Sequence, residues 1–357
     1  MKLYDFTMRI MRKNTANVTD IPLTISSKDG LINQNDFFNK QVASKDMSGY
    51  YLLHHGEYAY NKSYSVGYDF GSIKRLEKYD MGALSTLYIC FALTKFNSDF
   101  IKHYFDSLKW YREIYMISAE GARNHGLLNV PTEDFFATLH TLPTDEAEQA
   151  KIASFLDALT ARIEKQRSLV ENLKKYKRGL LKQVFNENCT WDEVPLGKIA
   201  TIYQPQTISS EQLVEYGKYP VYGANGQIGW YNDFNHDSEQ IAICCRGASC
   251  GTVNYIPAYS WITGNAMVIN IAESVILKKF VYHQLCSQNL SYMISGSGQP
   301  QIVRTPCVEH KIFVPTSEVQ VKITALFDLL DQKIAIQEKV LDRLIMTKKG
   351  CLQKLFV

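Results

Sequence analysis

Apolar residues recur at heptad spacing in two long stretches of the chain, residues 142–185 and 314–356. This spacing is typical of a long helix that packs along a partner. Each stretch begins with a Pro-Thr pair, and about 38 residues at 1.5 Å per residue predict a helix roughly 57 Å long. Because both helices would have the same period, we expect them to pack on each other.

The two stretches are copies of one segment, because from Gln149 and Gln320 onward they align without a gap at an offset of 171 residues. An internal repeat of this kind sets the plan of the whole chain. The first row of the predicted seam consists of Ile152, Leu159, Gln166 and Leu173 in one copy and Ile323, Leu330, Gln337 and Leu344 in the other. In an antiparallel pair with full overlap, Gln166 and Gln337 would face each other, which predicts a contact that fixes the register. The alternative is that both side chains point to water.

Each predicted helix keeps one glycine at the same place, Gly179 in the first copy and Gly350 in the second. A glycine inside a helix costs about 1 kcal/mol relative to alanine. Its presence in both copies suggests that another backbone approaches closely there, as a docking partner would. A frayed helix end would also tolerate glycine, so both interpretations stay open.

Two globular segments precede the long stretches, residues 1–141 and 191–313. The first shows strand-like alternation over residues 50–62, a helical pattern near residues 100–115 and a polar loop bounded by glycines at residues 121–126. The second follows a similar order. Its predicted elements are a strand pair with glycine turns at 219–233, strands at 241–247 and 261–271, a helix at 277–290 and a polar loop at 296–305.

Length and charge support two ordinary domains. The chain has 357 residues, 46% of them hydrophobic, and a net charge of +3. Residues 1–141 carry 16 Lys and Arg against 15 Asp and Glu, and residues 191–313 carry 7 against 9. If the chain contacts DNA, that contact would therefore depend on local clusters of charge or on basic partners.

Since no apolar run of membrane-spanning length occurs and the first residues lack a signal-peptide core, we expect a cytoplasmic protein.

The sequence contains no recognisable catalytic motif. It has no phosphate-binding loop ending in Gly-Lys-Ser/Thr, no His-Glu-x-x-His helix, and no Pro-Pro dipeptide of the kind an amino-methyltransferase loop requires. Cys244, Cys245 and Cys250 are the one cluster among eight cysteines, and their spacing favours buried thiols in strands over metal ligands. We therefore expect neither a catalytic centre nor a metal site in this chain.

Several motifs resemble one known family. The repeated stretches share Gln149, Lys151 and Ile152 with their second copy, and they end in similar basic runs at 177–185 and 348–356. The second segment adds the motifs at 191–197, 222–233, 246–253 and 298–300, and the first contributes weaker ones at 46–50, 60–62 and 85–88. Together these features resemble the DNA specificity subunit of type I restriction-modification systems.

The resemblance implies an α+β protein in which two long antiparallel helices, a coiled-coil spacer, separate two α/β target-recognition domains in an internal pseudo-two-fold repeat. The domains would be 1–141 and 191–313, and the spacer helices 142–185 and 314–357. The subunit would be non-catalytic and would read two half-sites of double-stranded DNA. It would scaffold two modification subunits and the restriction subunits. S-adenosylmethionine, ATP and Mg would then be bound by those partners, and no cofactor by this chain.

One departure from the family concerns the amino end. Recognition domains in the family usually begin with a Trp and Leu-Gly segment like residues 191–199, and the first segment lacks that motif. We therefore expect a shortened amino end and a first domain of doubtful function. Two rival interpretations remain, a helical scaffold whose globular domains bind protein and an inactive, truncated specificity subunit. A self-contained methyltransferase is disfavoured by the missing catalytic loop.

Polar side chains in the predicted loops are the candidates for contact with DNA. Arg, Asn and Gln can form bidentate hydrogen bonds to base edges in the major groove, and Lys can hold phosphates. The candidates are Lys62, Lys74, Arg75, Arg123, Asn124 and His125 in the first domain and Tyr222, Asn225, Arg246, Gln299, Gln301 and Arg304 in the second. The alternative for each is a solvated loop residue.

Overall fold

The computed structural model describes residues 1–38, 43–118, 128–186, 190–223, 226–272, 276–296 and 298–356. It divides into two compact units: unit 1 comprises Met1–Gln166 and Val340–Val357, and unit 2 comprises Arg167–Lys339. Each long helix belongs partly to both units, so this division differs from the four predicted domains, whose boundaries fall at the helix ends. Each unit is described by itself below.

Unit 1 contains two four-stranded sheets. Its strands are β1 (Thr7–Arg9), β2 (Pro22–Ser26), β3 (Gly30–Asn33), β4 (Tyr51–His54), β5 (Tyr58–Asn61), β6 (Ser72–Arg75), β7 (Met81–Leu84) and β8 (Ile89–Leu93). The first sheet has the order β1-β8-β5-β6 and is antiparallel throughout, and the second has the order β3-β2-β7-β4. Two of these strands, β4 and β5, cover the alternating run predicted at residues 50–62.

The helices of unit 1 are α1 (Gln34–Phe38), α2 (Ser98–Asp106), α3 (Tyr111–Ile117), α4 (Thr132–Ala137) and the beginning of α5 (Glu146–Val184). The aromatic side chains of α2 and α4 share one buried cluster with Tyr58, Tyr60 and Phe91 of the first sheet, whereas α1 contacts β2 and β3 of the second sheet. The single helix predicted near residues 100–115 is wrong, because the chain breaks it into α2 and α3. Leu108 adopts a left-handed conformation at φ 61°, and the Trp110 Nε1–H donates to the Phe105 carbonyl at 2.9 Å.

Unit 2 contains a similar main sheet and several smaller ones. Its strands are β9 (Asp192–Pro195), β10 (Ala200–Tyr203), β11 (Tyr219–Gly223), β12 (Gly226–Tyr231), β13 (Gln240–Cys244), β14 (Val253–Ile256), β15 (Trp261–Ile262), β16 (Ala266–Ile271), β17 (Ile294–Ser295), β18 (Gln301–Ile302) and β19 (Lys311–Val314). The main sheet has the order β10-β16-β13-β14 and is antiparallel. The hairpin β11-β12 is the predicted strand pair at residues 219–233.

The helices of unit 2 are α6 (Leu196–Ile199), α7 (Lys278–Ser287), α8 (Arg304–Glu309), the end of α5 and most of α9 (Ser317–Leu355). Its core lies between the main sheet, α7 and the long helices. Phe280 and Phe327 are fully buried there, and the Phe185 ring lies 5.5 Å from the ring of Phe280. The α+β fold class and the two long helices predicted from the sequence are confirmed.

The main sheets of the two units have the same topology. In strand order, β1, β8, β5 and β6 of unit 1 correspond to β10, β16, β13 and β14 of unit 2. The backbone before the first strand also matches: Leu3 N–H donates to the Thr138 carbonyl at 3.0 Å, and Leu196 N–H donates to the His310 carbonyl at 2.8 Å. The fainter repeat predicted for the globular segments is therefore present in the fold.

The match places a structural counterpart of the Leu196 turn at the start of unit 1, although the Trp and Leu-Gly motif is absent from the sequence there. The shortened amino end stays a prediction. A 3-10 turn at Leu3–Asp5, followed by β1, takes in unit 1 the place that α6 and β10 take in unit 2. Leu3 and Leu196 are both 0% exposed at this position. The sequence hid the correspondence because a buried leucine is the main feature that the two segments share.

Each long helix is 39 residues long, as the heptad pattern predicts. Within unit 1, Ala153 and Leu156 near the start of α5 share a buried cluster with Leu352 and Phe356 at the end of α9. The two helices therefore run antiparallel there. The four predicted seam residues of α5 are half-buried, as are three of the four in α9, while Ile323 is buried. The predicted contact between Gln166 and Gln337 stays a prediction, since one residue belongs to each unit.

The helices are also antiparallel within unit 2. Lys174 Nζ lies 2.6 Å from Glu338 Oε1, and Lys177 Nζ lies 2.6 Å from Asp331 Oδ2. A step of three residues forward along α5 thus corresponds to a step of seven backward along α9. These ion pairs give Lys174 and Lys177, near the end of α5, carboxylate partners on α9.

A buried glutamine near the start of each long helix makes the same pair of hydrogen bonds to its unit, and we call this arrangement the joint. Gln149 Oε1 accepts from Asn97 N–H at 2.9 Å, and its Nε2 donates to the Pro143 carbonyl at 2.9 Å. The second copy repeats both bonds: Gln320 Oε1 accepts from Leu277 N–H at 3.1 Å, and its Nε2 donates to the Pro315 carbonyl at 2.9 Å. The repeated glutamines are therefore buried structural residues.

A histidine–aspartate pair completes this joint in both units. His103 Nε2 lies 2.8 Å from Asp157 Oδ1 in unit 1, and His283 Nε2 lies 3.3 Å from Asp328 Oδ1 in unit 2. Burial lowers the pKa of both imidazoles. Each neutral ring can then donate its Nε2–H to the carboxylate.

Candidate nucleic-acid interface

In unit 2, three candidates for DNA contact lie along one end of the main sheet. Arg246 lies two residues after the end of β13 and forms an isolated β-bridge with Gln301. The Ile302 N–H donates to the Cys245 carbonyl at 3.0 Å, and the Gly247 N–H donates to the Pro300 carbonyl at 3.3 Å. Arg246, Gln299 and Gln301 are all exposed. We call this end of the sheet, where β10 and β13 end and β16 begins, the unit 2 edge.

Arg304 lies at the start of α8, next to the unit 2 edge. Its Nε–H donates to the Ile202 carbonyl of β10 at 2.7 Å, which fixes the plane of the guanidinium group. The residue is nevertheless exposed, so its other N–H groups can reach a ligand. Arg246 and Arg304 thus give the edge two cations, and Gln299 and Gln301 add two amides.

Gln204 is a residue of this edge that the sequence did not single out. It follows β10 and is exposed, while its Nε2 donates to Cys245 Sγ at 3.1 Å and to the Gly264 carbonyl at 3.3 Å. Its position depends on the pairing of β10 with β16, which joins residues far apart in the chain. Burial raises the pKa of the neighbouring Cys245 thiol, which therefore stays protonated at neutral pH.

Tyr222 lies in β11, outside the main sheet. It is half-buried and packs against a cluster that includes Ala242 and Val268. Burial raises the pKa of its phenol. Its backbone carbonyl accepts from Thr263 N–H at 2.9 Å, in the loop that leads to β16. Tyr222 is thus mainly a packing residue beside the unit 2 edge.

In unit 1, the corresponding end of the main sheet carries Lys62 and Arg9. Lys62 directly follows β5, the counterpart of β13, and Arg9 is the last residue of β1, the counterpart of β10. Lys62 therefore takes the place that Cys245 and Arg246 take in unit 2. Residues 85–88 lead into β8 at the same end. We call this region the unit 1 edge; its Arg9 was not predicted from the sequence.

Lys74 and Arg75 lie in β6 and are already matched by carboxylates. Lys74 Nζ lies 2.6 Å from Asp106 Oδ1, and Arg75 Nη2 lies 2.7 Å from both Glu77 Oε1 and Asp99 Oδ1. Arg75 also donates to Ser98 Oγ at 2.8 Å. These ion pairs hold β6 to α2, and the contact of the two residues with DNA stays a prediction. Charge spacing in the sequence could not show these partners.

Four further candidates, Arg123, Asn124, His125 and Asn225, lie outside the described residues. Their role in DNA contact stays a prediction.

Across the ranges that the structure describes, no group of three or more His, Cys, Asp or Glu side chains is arranged to hold a metal ion. Within the same ranges, no helix is long and apolar enough to cross a membrane.

Part of this chain is similar in sequence to known proteins. Residues 188–345 match the family model of the type I restriction modification DNA specificity domain. This part of the chain is therefore similar to type I specificity subunits. Over 196 residues the chain is 29% identical to the EcoprrI type I restriction enzyme specificity subunit of Escherichia coli, covering 52% of this chain and 49% of that protein. The chain thus spans about half the length of this relative.

Solved structures show the same fold over the whole chain. The S subunit of a type I restriction-modification system from M. genitalium is similar with a TM-score of 0.63 and 19% identity, covering 100% of this chain and 95% of that one. A chain from a study of complex assembly in the type I R-M system has a TM-score of 0.61 and 18% identity, covering 100% and 96%. The resemblance of this chain to specificity subunits is therefore confirmed in sequence and in fold.

Proposed function

We propose that this chain is the non-catalytic DNA specificity subunit of a type I restriction-modification complex. The observation that carries the proposal is the specificity domain at residues 188–345, whose sheet presents exposed Arg246, Gln299 and Gln301 together at one edge. Such side chains suit direct readout, since Arg pairs in bidentate fashion with guanine and Gln with adenine. The unit 2 edge would read one half-site in the major groove.

We further propose that the target is bipartite. Unit 1 repeats the sheet topology of unit 2 and carries its own cations at the corresponding edge. Each unit would then read one half-site, and the two sites would differ in sequence because the edge residues differ. The long helices would set the spacing between the half-sites, which is the role the repeated heptad stretches predict.

The partners follow from the same proposal. Two modification subunits that bind S-adenosylmethionine would supply methylation, and restriction subunits that use ATP and Mg would supply cleavage. This chain would provide the scaffold, with Gly179 and Gly350 as docking positions. A Cβ at either glycine would meet nothing within 4 Å in the described chain, so both positions leave room for a partner backbone. A complex of this kind would work in the cytoplasm, where the DNA is.

The test is to purify the chain together with its presumed modification subunits and to map methylated adenines across the genome. The proposal predicts one bipartite motif with two fixed half-sites and a constant spacer. A protein-binding scaffold predicts a stable complex without any sequence-dependent methylation. Absence of methylation would also fit a truncated, inactive specificity subunit.

A further inference from the structure

A small polar cleft lies at the unit 1 edge, between the ends of the strands. Its volume is about 50 Å³. The polar side chains that line it include those of Arg9, Tyr51, Lys62, Thr86, Tyr88 and Thr132. They come from five places in the chain, the end of β1, the start of β4, the residue after β5, the loop before β8 and the start of α4. The fold therefore assembles the cleft, and no local motif encodes it.

The cleft is positively charged. Two cations line it and no carboxylate does. Arg9 has one weak ion pair, at 3.9 Å, with Glu133, whose side chain is 92% exposed. Such a pair is worth little in water. Within the described ranges, the Lys62 ammonium has no carboxylate or hydrogen-bond partner. Both charges are thus available to an anion, in contrast to Lys74 and Arg75.

The size and the donors of the cleft restrict what it can bind. Sites for cofactors and drug-sized ligands measure roughly 300–1,000 Å³, so this cleft is too small for a nucleotide cofactor or an extruded base. A phosphate group is small enough. The hydroxyl groups of Thr86 and Thr132 can donate to its oxygens, and Arg9 can form the planar paired contact that phosphate favours.

We propose that this cleft binds a single phosphate group of the DNA backbone. The proposal rests on the proposed function, which makes duplex DNA the source of the phosphate. A phosphate contact fixes the position and register of a protein on the duplex but carries no sequence information. Arg9, Lys62 and the two threonines would therefore hold unit 1 against the backbone while neighbouring residues read bases.

The experiment measures the affinity of the assembled complex for its target duplex and for a scrambled duplex over a salt series. We compare the wild type with Arg9→Ala, Lys62→Ala and the double variant. Lys28→Ala is the matched control, because Lys28 is an exposed lysine of unit 1 outside the cleft. Thermal melting of each variant checks that the fold is intact, and Lys62→Arg tests whether the charge suffices.

The double variant should bind both duplexes about tenfold more weakly, because it loses one or two charge-assisted hydrogen bonds to the phosphate. The slope of log K against log salt should become shallower by about 1, since one phosphate contact is lost. The ratio of the two affinities should not change. Lys28→Ala should match the wild type, and Lys62→Arg should restore the slope.

Three results would overturn the proposal. One is an unchanged salt slope in a folded double variant while the wild type binds DNA normally, which would leave the proposed function intact. Another is a loss of affinity for the target duplex alone, which would make these residues base readers. The third is saturation of the cleft by inorganic phosphate at constant ionic strength, with no effect on DNA binding, which would assign the site to a free anion. Failure of the wild type to bind DNA would instead contradict the proposed function.

Discussion

At the scale of single residues, buried polar side chains connect the fold to pH. His140 is held by the Tyr104 hydroxyl at 2.8 Å and by Thr138 Oγ1 at 2.9 Å, and His310 by Gln288 Oε1 at 2.7 Å. Burial lowers the pKa of each imidazole to about 4. An unfolded histidine titrates at roughly 6.5. Each of these imidazoles therefore binds a proton more weakly in the folded protein than in the unfolded chain.

We predict that stability falls as the pH is lowered from about 6.5 towards 4. Because the folded pKa lies below the unfolded one, the contribution is complete above pH 6.5 and is lost as protons bind the unfolded chain first. Each histidine should account for about 2–3 kcal/mol of the free energy of unfolding over this range. Urea denaturation at several pH values measures it. His140→Gln and His310→Gln should flatten the pH dependence, and an equal dependence in variants and wild type would refute this reasoning.

The buried glutamines at the start of the long helices give a second prediction at this scale. Gln149→Ala and Gln320→Ala each remove two hydrogen bonds and leave an amide N–H and a carbonyl unpaired. Each should lower the free energy of unfolding by about 2 kcal/mol. Gln183→Ala is the control, because Gln183 is exposed on α5. If both glutamine variants unfold with the same free energy as Gln183→Ala, the two hydrogen bonds do not contribute to stability.

At the scale of elements, the sequence predicts helices that depend on local pattern better than positions that depend on pairing between distant strands. The heptad period predicted α5 and α9 because a long amphipathic helix needs only its own sequence. The break between α2 and α3 was missed because it depends on a left-handed Leu108, which no residue pattern marks. The sequence identified Lys62 and Arg246 as candidates because both lie in predicted loops. It missed Arg9 and Gln204, because pairing between strands that are distant in the chain brings them to the two edges.

The helix glycines make a prediction about assembly. Gly179→Leu and Gly350→Leu should fold normally, since each position is exposed and open. Both should weaken co-purification with modification subunits, because a leucine would fill the space left for a partner backbone. Gly→Ala at the same positions should raise helix stability by about 1 kcal/mol. Ala161→Leu, at another exposed position of α5, is the control; unchanged assembly of the glycine variants would count against the docking role.

At the scale of the whole molecule, the repeat would allow one chain to present two different readers under the proposed function. The main sheets share their strand order, while the edges differ: unit 1 offers Arg9 and Lys62, and unit 2 offers Arg246 and Arg304. The sequence predicted the two-fold plan from the helices alone. It could not assign bases to residues, because the contacts depend on how each edge meets the groove.

The most direct test of the account changes one edge and measures both half-sites. The assembled complex carrying Arg246→Ala and Gln301→Ala is compared with the wild type and with Lys218→Ala, an exposed control in unit 2. Methylation is measured on duplexes substituted one base pair at a time across the whole target. We predict that discrimination is lost in one half-site, by about 1–3 kcal/mol per contacted base pair, and kept in the other. Equal changes in both half-sites, or in neither, would contradict the account.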